Sequence, residues 1–225
     1  MSFNIVIDPR YPCDSVHQLF DREELFKKAQ ITSTLISDQF SVEKTVPGEV
    51  FLQQDSRHEF CSYLAYLGKY EKDKVSSVAL AGLSESFGRL KDSMKPSASL
   101  PDSAAPGGPC IAGELRLFVN TDGDLYPCER VSETSEAMKI GNLRDGFDLS
   151  KVDRLINVAQ DTAENCKNCW AFRHCMLCCA QSDNCGELSA DLRSSQCSKV
   201  RAQVEEKFRD YLWMREFGVP YDIMN

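Results

Sequence analysis

Nine of the chain's eleven cysteines lie between positions 110 and 197. The densest stretch, CKNCWAFRHCMLCC, covers residues 166–179 and holds five thiols in fourteen positions. Clustered thiols bind metal in a reducing compartment and form disulfide frameworks in an oxidising one. The opening MSFNIVIDPRYP lacks the basic and apolar regions of a signal peptide. We therefore expect a cytoplasmic protein that uses these cysteines to bind metal.

The spacing of the cysteines distinguishes zinc from an iron–sulfur cluster. A structural zinc site commonly takes two C-x2-C pairs, and only Cys166 and Cys169 form a clear pair here. Iron–sulfur clusters take four thiolates from near and distant parts of a chain. The full pattern is C-x12-G-x4-C, a gap of 37 residues, C-x2-C-x5-C-x3-C, a gap of 17 residues and C, formed by Cys110, Gly123, Cys128, Cys166, Cys169, Cys175, Cys179 and Cys197.

This pattern resembles the signature of the SPASM domain, the C-terminal cluster-binding extension of radical S-adenosylmethionine (SAM) enzymes that modify peptides. The flanking sequences APGGPCIAGELRLFVNTDGDLYPCERVSE and CKNCWAFRHC resemble the branch of maturases that act on Cys-rich peptides and form thioether links. The strong resemblance covers roughly residues 105–200. It implies two auxiliary [4Fe–4S] clusters, with Cys110, Cys128 and Cys179 on the first and Cys166, Cys169, Cys175 and Cys197 on the second.

The implied first cluster is one protein ligand short, because the segment between Cys110 and Cys128 holds no further cysteine. A substrate thiolate could take the open position, or Cys178 or Cys185 could fill it. Adjacent side chains point in different directions on a helix or strand, so Cys178 could also replace Cys179 as the ligand. The alternative for Cys178 and Cys185 is that both are spare thiols. Trp170, Phe172 and Phe118 are expected to surround the clusters with apolar surface.

The C-x3-C-x2-C motif that binds the SAM-cleaving cluster in this family is absent from the sequence. The resemblance therefore implies the C-terminal half of a maturase, inactive alone, with SAM used only by the complete enzyme. Its expected partners are a Cys-rich precursor peptide and a separate radical SAM barrel polypeptide. Two alternatives stay open: a zinc-stabilised interaction module, and a stand-alone iron–sulfur electron carrier.

The charge balance weighs against two other classes of partner. The formal net charge is −8, and no Lys/Arg block forms the basic surface typical of nucleic-acid binding. No apolar run is long enough for a membrane span. We expect neither nucleic acid nor membrane as a partner.

The elements before residue 95 are predicted to be mostly helical. A strand is expected at Ile5–Ile7, and the capping-box spacing of Asp21 and Glu24 predicts a helix that begins there. Two further helices are indicated by apolar residues at helical spacing. Their apolar positions are Phe60, Leu64 and Leu67 in one helix, and Leu83, Phe87, Leu90 and Met94 in the other. Cys61 is expected to be a small buried apolar residue, and His17 and His58 to be ordinary surface or helix residues.

The proline-rich stretch KPSASLPDSAAPGGP predicts a linker at 95–109. After it, a hairpin around NTDG, another short strand and turn in KIGNLRDGFD, and a helix capped by Asp148 are expected. The predicted fold class is α+β: a helical remnant of a partial (β/α)6 barrel joined to a small, loop-rich cluster-binding domain. The predicted units are barrel-end elements at 1–94, the linker, a SPASM domain at 110–200 and a C-terminal helix at 201–225.

Overall fold

The computed structural model describes residues 1–38, 40–41, 43–93, 102–107 and 110–219. The chain divides into two compact units, one formed by residues 1–94 and 207–225 and the other by residues 95–206. Helices and small sheets are mixed along the chain, in agreement with the expected α+β class. The predicted linker 95–109 lies largely outside the described residues.

The first unit opens with a β-α-β arrangement. Strand β1 (Ser2–Ile7) pairs in parallel with strand β2 (Gln30–Leu35), and helix α1 (Asp14–Arg22) connects them. Parallel neighbours need such a crossover connection, which a two-residue turn cannot provide. Apolar side chains from both strands and α1 form a small core around Phe20 and Ile31.

No helix begins at Asp21. Helix α1 begins earlier, at Asp14, and ends at Arg22. The Asp21 carboxylate serves a different helix, because its Oδ1 accepts hydrogen bonds from the backbone N–H and the hydroxyl of Ser77. Ser77 is the first residue of helix α3 (Ser77–Ser93). The predicted capping box is therefore wrong, because the hydrogen-bond partner of Asp21 is 56 residues away in the chain.

Helix α2 (Glu49–Tyr66) and α3 carry the two predicted apolar faces. Phe87 and Leu90 are buried as expected, together with Tyr211 and Met214 of the C-terminal helix. Phe60 is 59% exposed, so the predicted α2 face is wrong at that position. Cys61 is only half-buried, and Met94 lies outside the described residues.

The second unit is organised by a four-stranded antiparallel sheet of very short strands, in the order β3-β4-β5-β6. These strands are Phe118–Val119, Asp124–Tyr126, Gly141–Asn142 and Gly146–Phe147. The predicted NTDG turn joins the first two strands, where the Asn120 side chain accepts from the Asp122 and Asp124 amides. Gly123 has φ +81°, a conformation that glycine adopts without strain.

The remaining elements of the second unit are short helices and 3₁₀ turns that surround the cysteines. Asp148 caps α4 (Leu149–Ile156) as predicted, accepting from the amides of Ser150 and Lys151. The other helices are α5 (Ala163–Lys167), α6 (Ala190–Ser195) and α7 (Cys197–Glu216). Helix α7 belongs to the second unit through Glu206 and to the first from Lys207. Within the described ranges, no helix combines the length and apolarity that crossing a membrane requires.

Candidate metal centre

Four cysteines line one cavity of about 320 Å³ in the second unit. They are Cys166, Cys169, Cys175 and Cys197, the set that the family resemblance assigns to the second cluster. The remaining lining includes apolar side chains such as Phe172, Leu177 and Val200. The cavity therefore offers four soft ligands in a partly apolar enclosure.

Tight backbone turns place three of these thiols around the cavity. Cys166 lies in α5, and its carbonyl accepts from the Cys169 amide at 3.1 Å. The Cys169 carbonyl accepts from Phe172 at 3.0 Å, and the Phe172 carbonyl accepts from Cys175 at 3.3 Å. The C-x2-C-x5-C spacing thus corresponds to successive turns that keep the thiols on one side of the loop.

The segment 102–107 packs against this loop through a close backbone contact. The Gly107 amide donates to the Phe172 carbonyl at 3.2 Å. A Cβ on Gly107 would lie 2.4 Å from the Arg173 carbonyl oxygen, so a side chain cannot fit without moving backbone. Pro106, the preceding residue, lines the cavity itself.

Arg193 of α6 is a cavity-lining residue that the sequence did not reveal. It is 2% exposed, and its guanidinium donates to the carbonyls of Leu177 and Cys178 at 2.9 and 3.0 Å. Its own carbonyl is 4.0 Å from the Cys197 sulfur, which donates to it. The buried guanidinium is thereby held by hydrogen bonds to the backbone of Leu177 and Cys178.

The pKa of Cys175 reflects both its burial and the neighbouring thiols. Burial raises the pKa of the Cys175 thiol, and the neighbouring thiols Cys166 and Cys197 raise it further. The Leu177 backbone and the Arg193 charge act in the opposite direction. Thiolates held this close together require positive charge among them, which a metal centre supplies.

A second group of thiols lies around the end of the β3–β4 hairpin. Burial raises the pKa of the Cys128 thiol, and the neighbouring thiols Cys178 and Cys110 raise it further. Cys179 is buried in the core formed by residues such as Leu125 and Met138. The structure thus groups Cys110, Cys128, Cys178 and Cys179.

Cys178 and Cys179 do not point apart, contrary to the expectation for adjacent residues in regular structure. Cys178 is extended and Cys179 begins a 3₁₀ turn (Cys179–Ser182), so the chain bends between them. The Cys179 thiol donates to the Cys178 sulfur, which lowers the pKa of Cys178 to about 6 and raises that of Cys179. The Cys178 sulfur also accepts from the backbone N–H of Gln181. Hydrogen bonds of this kind stabilise a thiolate at a helix start.

Cys185 differs from this group. It is exposed, adopts φ +73°, and its amide donates to the Asp183 carboxylate at 2.8 Å.

Of the aromatic residues expected around the clusters, Phe172 lines the cavity and Phe118 packs on the same core as Cys128. Trp170 is 55% exposed, so its expected role in covering a cluster is not what the structure shows.

A larger polar pocket lies along strands β4, β5 and β6, and none of the described cysteines lines it. Its volume is about 530 Å³, and Asp122, Asp124, Lys139 and Asp145 are among its lining residues. The Asp124 carboxylate is paired with Lys139 at 2.8 Å and accepts from Asn142 at 2.7 Å. These contacts join β4 to β5, so a structural role accounts for Asp124.

Comparison with known proteins gives one family match. Residues 110–170 match the model of the SPASM family, described as an iron–sulfur cluster-binding domain. The match includes the hairpin, Cys166 and Cys169, whereas Cys175 and Cys197 follow it and line the same cavity. No curated protein and no solved structure matches the chain. Residues 110–170 are therefore similar to the SPASM iron–sulfur cluster-binding domain.

Proposed function

We propose that the chain binds two auxiliary [4Fe–4S] clusters and works with a radical SAM barrel that modifies a ribosomally made Cys-rich peptide. The observation that carries the proposal is the cavity of four cysteines in a chain whose preceding segment matches a cluster-binding family. Such clusters supply electron transfer or a coordination site for substrate when bound. Thioether formation is the modification proposed, and the cytoplasm is the proposed compartment.

The residues fit an iron–sulfur cluster better than a single zinc ion. A tetrahedral site with Zn–S bonds of about 2.3 Å holds its sulfurs roughly 3.8 Å apart. Within the described part of the chain, no three thiols of the second unit lie within 4.8 Å of one another. A cube of several iron atoms accommodates more widely spaced sulfurs than one ion can. The zinc-module alternative is therefore less well supported.

For the first cluster we propose Cys110, Cys128 and Cys179 as ligands, with Cys178 as the fourth. The electrostatic contact of Cys178 with Cys128 favours it over the exposed Cys185. For the second cluster we propose Cys166, Cys169, Cys175 and Cys197. Arg193 and the apolar lining of the cavity orient and shield this second site.

The first unit supports the link to a barrel enzyme. Its β1–α1–β2 arrangement of parallel strands joined by a helix is the repeating element of a (β/α) barrel. We propose that it completes such a barrel, with the radical-generating C-x3-C-x2-C cluster supplied by another polypeptide or another part of a longer protein. A stand-alone electron carrier shares the cofactors, so identification of the partner decides between these two functions.

Anaerobic reconstitution with iron and sulfide tests the cofactor directly. Two clusters predict about eight irons and eight acid-labile sulfides per chain and a brown protein. The Cys166→Ser variant should lose iron from one site, whereas Cys61→Ser, a half-buried cysteine of the first unit, should lose none. A colourless protein with zinc and no sulfide would establish the zinc alternative. Four irons with all ligands intact would leave only one cluster.

Co-expression tests the assignment to a maturase. A polypeptide bearing C-x3-C-x2-C should be retained by the tagged chain, and the pair with SAM and a Cys-rich peptide should yield a product lighter by two hydrogens per thioether. Retention of an unrelated oxidoreductase instead, with no peptide product, would support the electron carrier.

A further inference from the structure

A cluster of two histidines and one cysteine lies in the first unit. Cys13, His17 and His58 each present one ligand atom, and these three atoms lie within 4.8 Å of one another. Cys13 is 1% exposed and His17 is 4% exposed. The side chain of His58 is 17% exposed.

The local structure places the three side chains together. Cys13 precedes α1 as its N-cap, and His17 follows four residues later, which puts both on one face of the helix. His58 lies on α2, four residues after Gln54 and therefore on the same face of that helix. The side-chain oxygen Oε1 of Gln54 accepts from the backbone amides of Cys13 and Asp14 at 2.8 and 3.0 Å. One contact thus fixes the start of α1 against α2 beside the cluster.

Each histidine uses one ring nitrogen in a hydrogen bond and keeps the other for a ligand. His58 Nε2 is 2.8 Å from Asp14 Oδ1, and Asp14 is also paired with Arg57 at 2.6 Å. His17 Nδ1 is 2.7 Å from the buried Ser76 hydroxyl. The nitrogen atoms left over are Nδ1 of His58 and Nε2 of His17. Metal-binding histidines show this arrangement, in which the second nitrogen donates to a carboxylate or other oxygen.

The two imidazole rings are stacked, with centroids 3.9 Å apart and planes inclined by 6°. Both free nitrogens can face one ion only if the rings tilt out of parallel. His58, the more exposed ring, is the one with room to move.

We propose that Cys13, His17 and His58 bind a Zn²⁺ ion that joins α1 to α2. One thiolate and two neutral imidazoles are ligands that zinc prefers, and three protein ligands leave a fourth position for water. On binding, the Cys13 thiol releases its proton to solvent and no electron is transferred. The site is independent of the iron–sulfur clusters, because it shares none of their proposed ligands.

The chain's three histidines make a specific test possible. In protein labelled with ¹⁵N-histidine, anaerobic addition of Zn²⁺ should shift Nδ1 of His58 and Nε2 of His17 together, saturating at one equivalent for this site. Zinc taken up by the thiols of the second unit does not bind these nitrogens, so it is not confused with the site. His174, in the second unit, is the internal comparison.

Two variants and a matched control complete the test. His58→Gln removes the ligand nitrogen but keeps a side-chain donor for Asp14, and it should abolish the zinc-dependent shift of His17. Cys13→Ser should weaken zinc binding at this site by at least tenfold. Cys61→Ser, which alters a cysteine on the same helix as His58, should leave both responses unchanged. The proposal is overturned if neither His17 nor His58 responds to zinc, or if Cys13→Ser responds like the wild type.

Discussion

The guanidinium of Arg193 donates to the carbonyl oxygen of Cys178 at 3.0 Å, and this contact connects the two cysteine groups. Arg193 lines the cavity of Cys166, Cys169, Cys175 and Cys197, while Cys178 lies beside Cys128. The guanidinium donates a second hydrogen bond to the Leu177 carbonyl, so it contacts two successive backbone carbonyls. Arg193 therefore holds the backbone of Cys178, a proposed ligand of the first cluster. The same side chain also places its positive charge at the cavity proposed for the second cluster.

Replacing Arg193 should affect both stability and the second cluster's reduction potential. Arg193→Gln removes a positive charge from the cavity wall, so reduction of the cluster becomes less favourable and its potential falls. Arg193→Lys keeps the charge but lacks the paired donor nitrogens of the guanidinium, so the potential should change less. Both variants lose charge-assisted hydrogen bonds worth about 1.5–3 kcal/mol each. Potentiometry followed by electron paramagnetic resonance measures the effect. Equal potentials in wild type and Arg193→Gln would contradict it.

The fourth ligand of the first cluster is tested by single serine substitutions. Cys178→Ser should lower iron content or change the resonance of the first cluster alone, because Cys178 lies within reach of Cys128. Cys185→Ser is the matched control and should leave iron and sulfide unchanged, since Cys185 is exposed and held by Asp183. Loss with Cys178→Ser but none with Cys179→Ser would show that Cys178 replaces Cys179 as the ligand.

The sequence predicted the local elements of the second unit well because their signals are local. Asp148 precedes its helix directly, and the NTDG turn lies between the strands it joins. The four thiols that line the cavity are also the set that the family resemblance implies for one cluster. Such features depend on residues a few positions apart or on a family pattern.

Contacts between distant residues were missed for the opposite reason. Asp21 caps the helix that begins at Ser77, so its spacing to Glu24 was misleading. The pair Cys13 and His17 has metal-ligand spacing, but His58 joins it only through packing of α1 on α2. Arg193 carries no motif, and nothing in the sequence shows that its guanidinium reaches the carbonyls of Leu177 and Cys178.

Gly107 should be intolerant of even a methyl group. A Cβ there lies 2.4 Å from the Arg173 carbonyl oxygen, so Gly107→Ala must displace the backbone beside Cys175. Overpacking of this kind costs about 1–3 kcal/mol. The lifetime of the cluster's visible absorption in fixed urea should shorten several-fold. Gly186→Ala is the control, because its Cβ meets only an ordinary 3.6 Å contact with Asn184. Equal lifetimes for the two variants would show that segment 102–107 does not support the cavity.

Asp183 should stabilise the loop that follows the proposed ligand pair. Its buried Oδ1 accepts from the Ser135 hydroxyl at 2.6 Å and from the Cys185 amide at 2.8 Å. Asp183→Ala leaves the buried Ser135 hydroxyl without this partner, at a cost of about 1–3 kcal/mol.

Asp183→Asn separates hydrogen bonding from charge, because an amide oxygen can accept both bonds in place of Oδ1. It should therefore lose less stability than Asp183→Ala. The Oδ2 atom is buried without a hydrogen-bond partner among the described residues. Asp183→Asn places a neutral NH2 group there, so the cost of burying this end of the side chain falls and offsets part of the weakened bonds. Cluster lifetime in urea measures both variants. An alanine variant as long-lived as the wild type would mean that the Ser135 contact does not stabilise this loop.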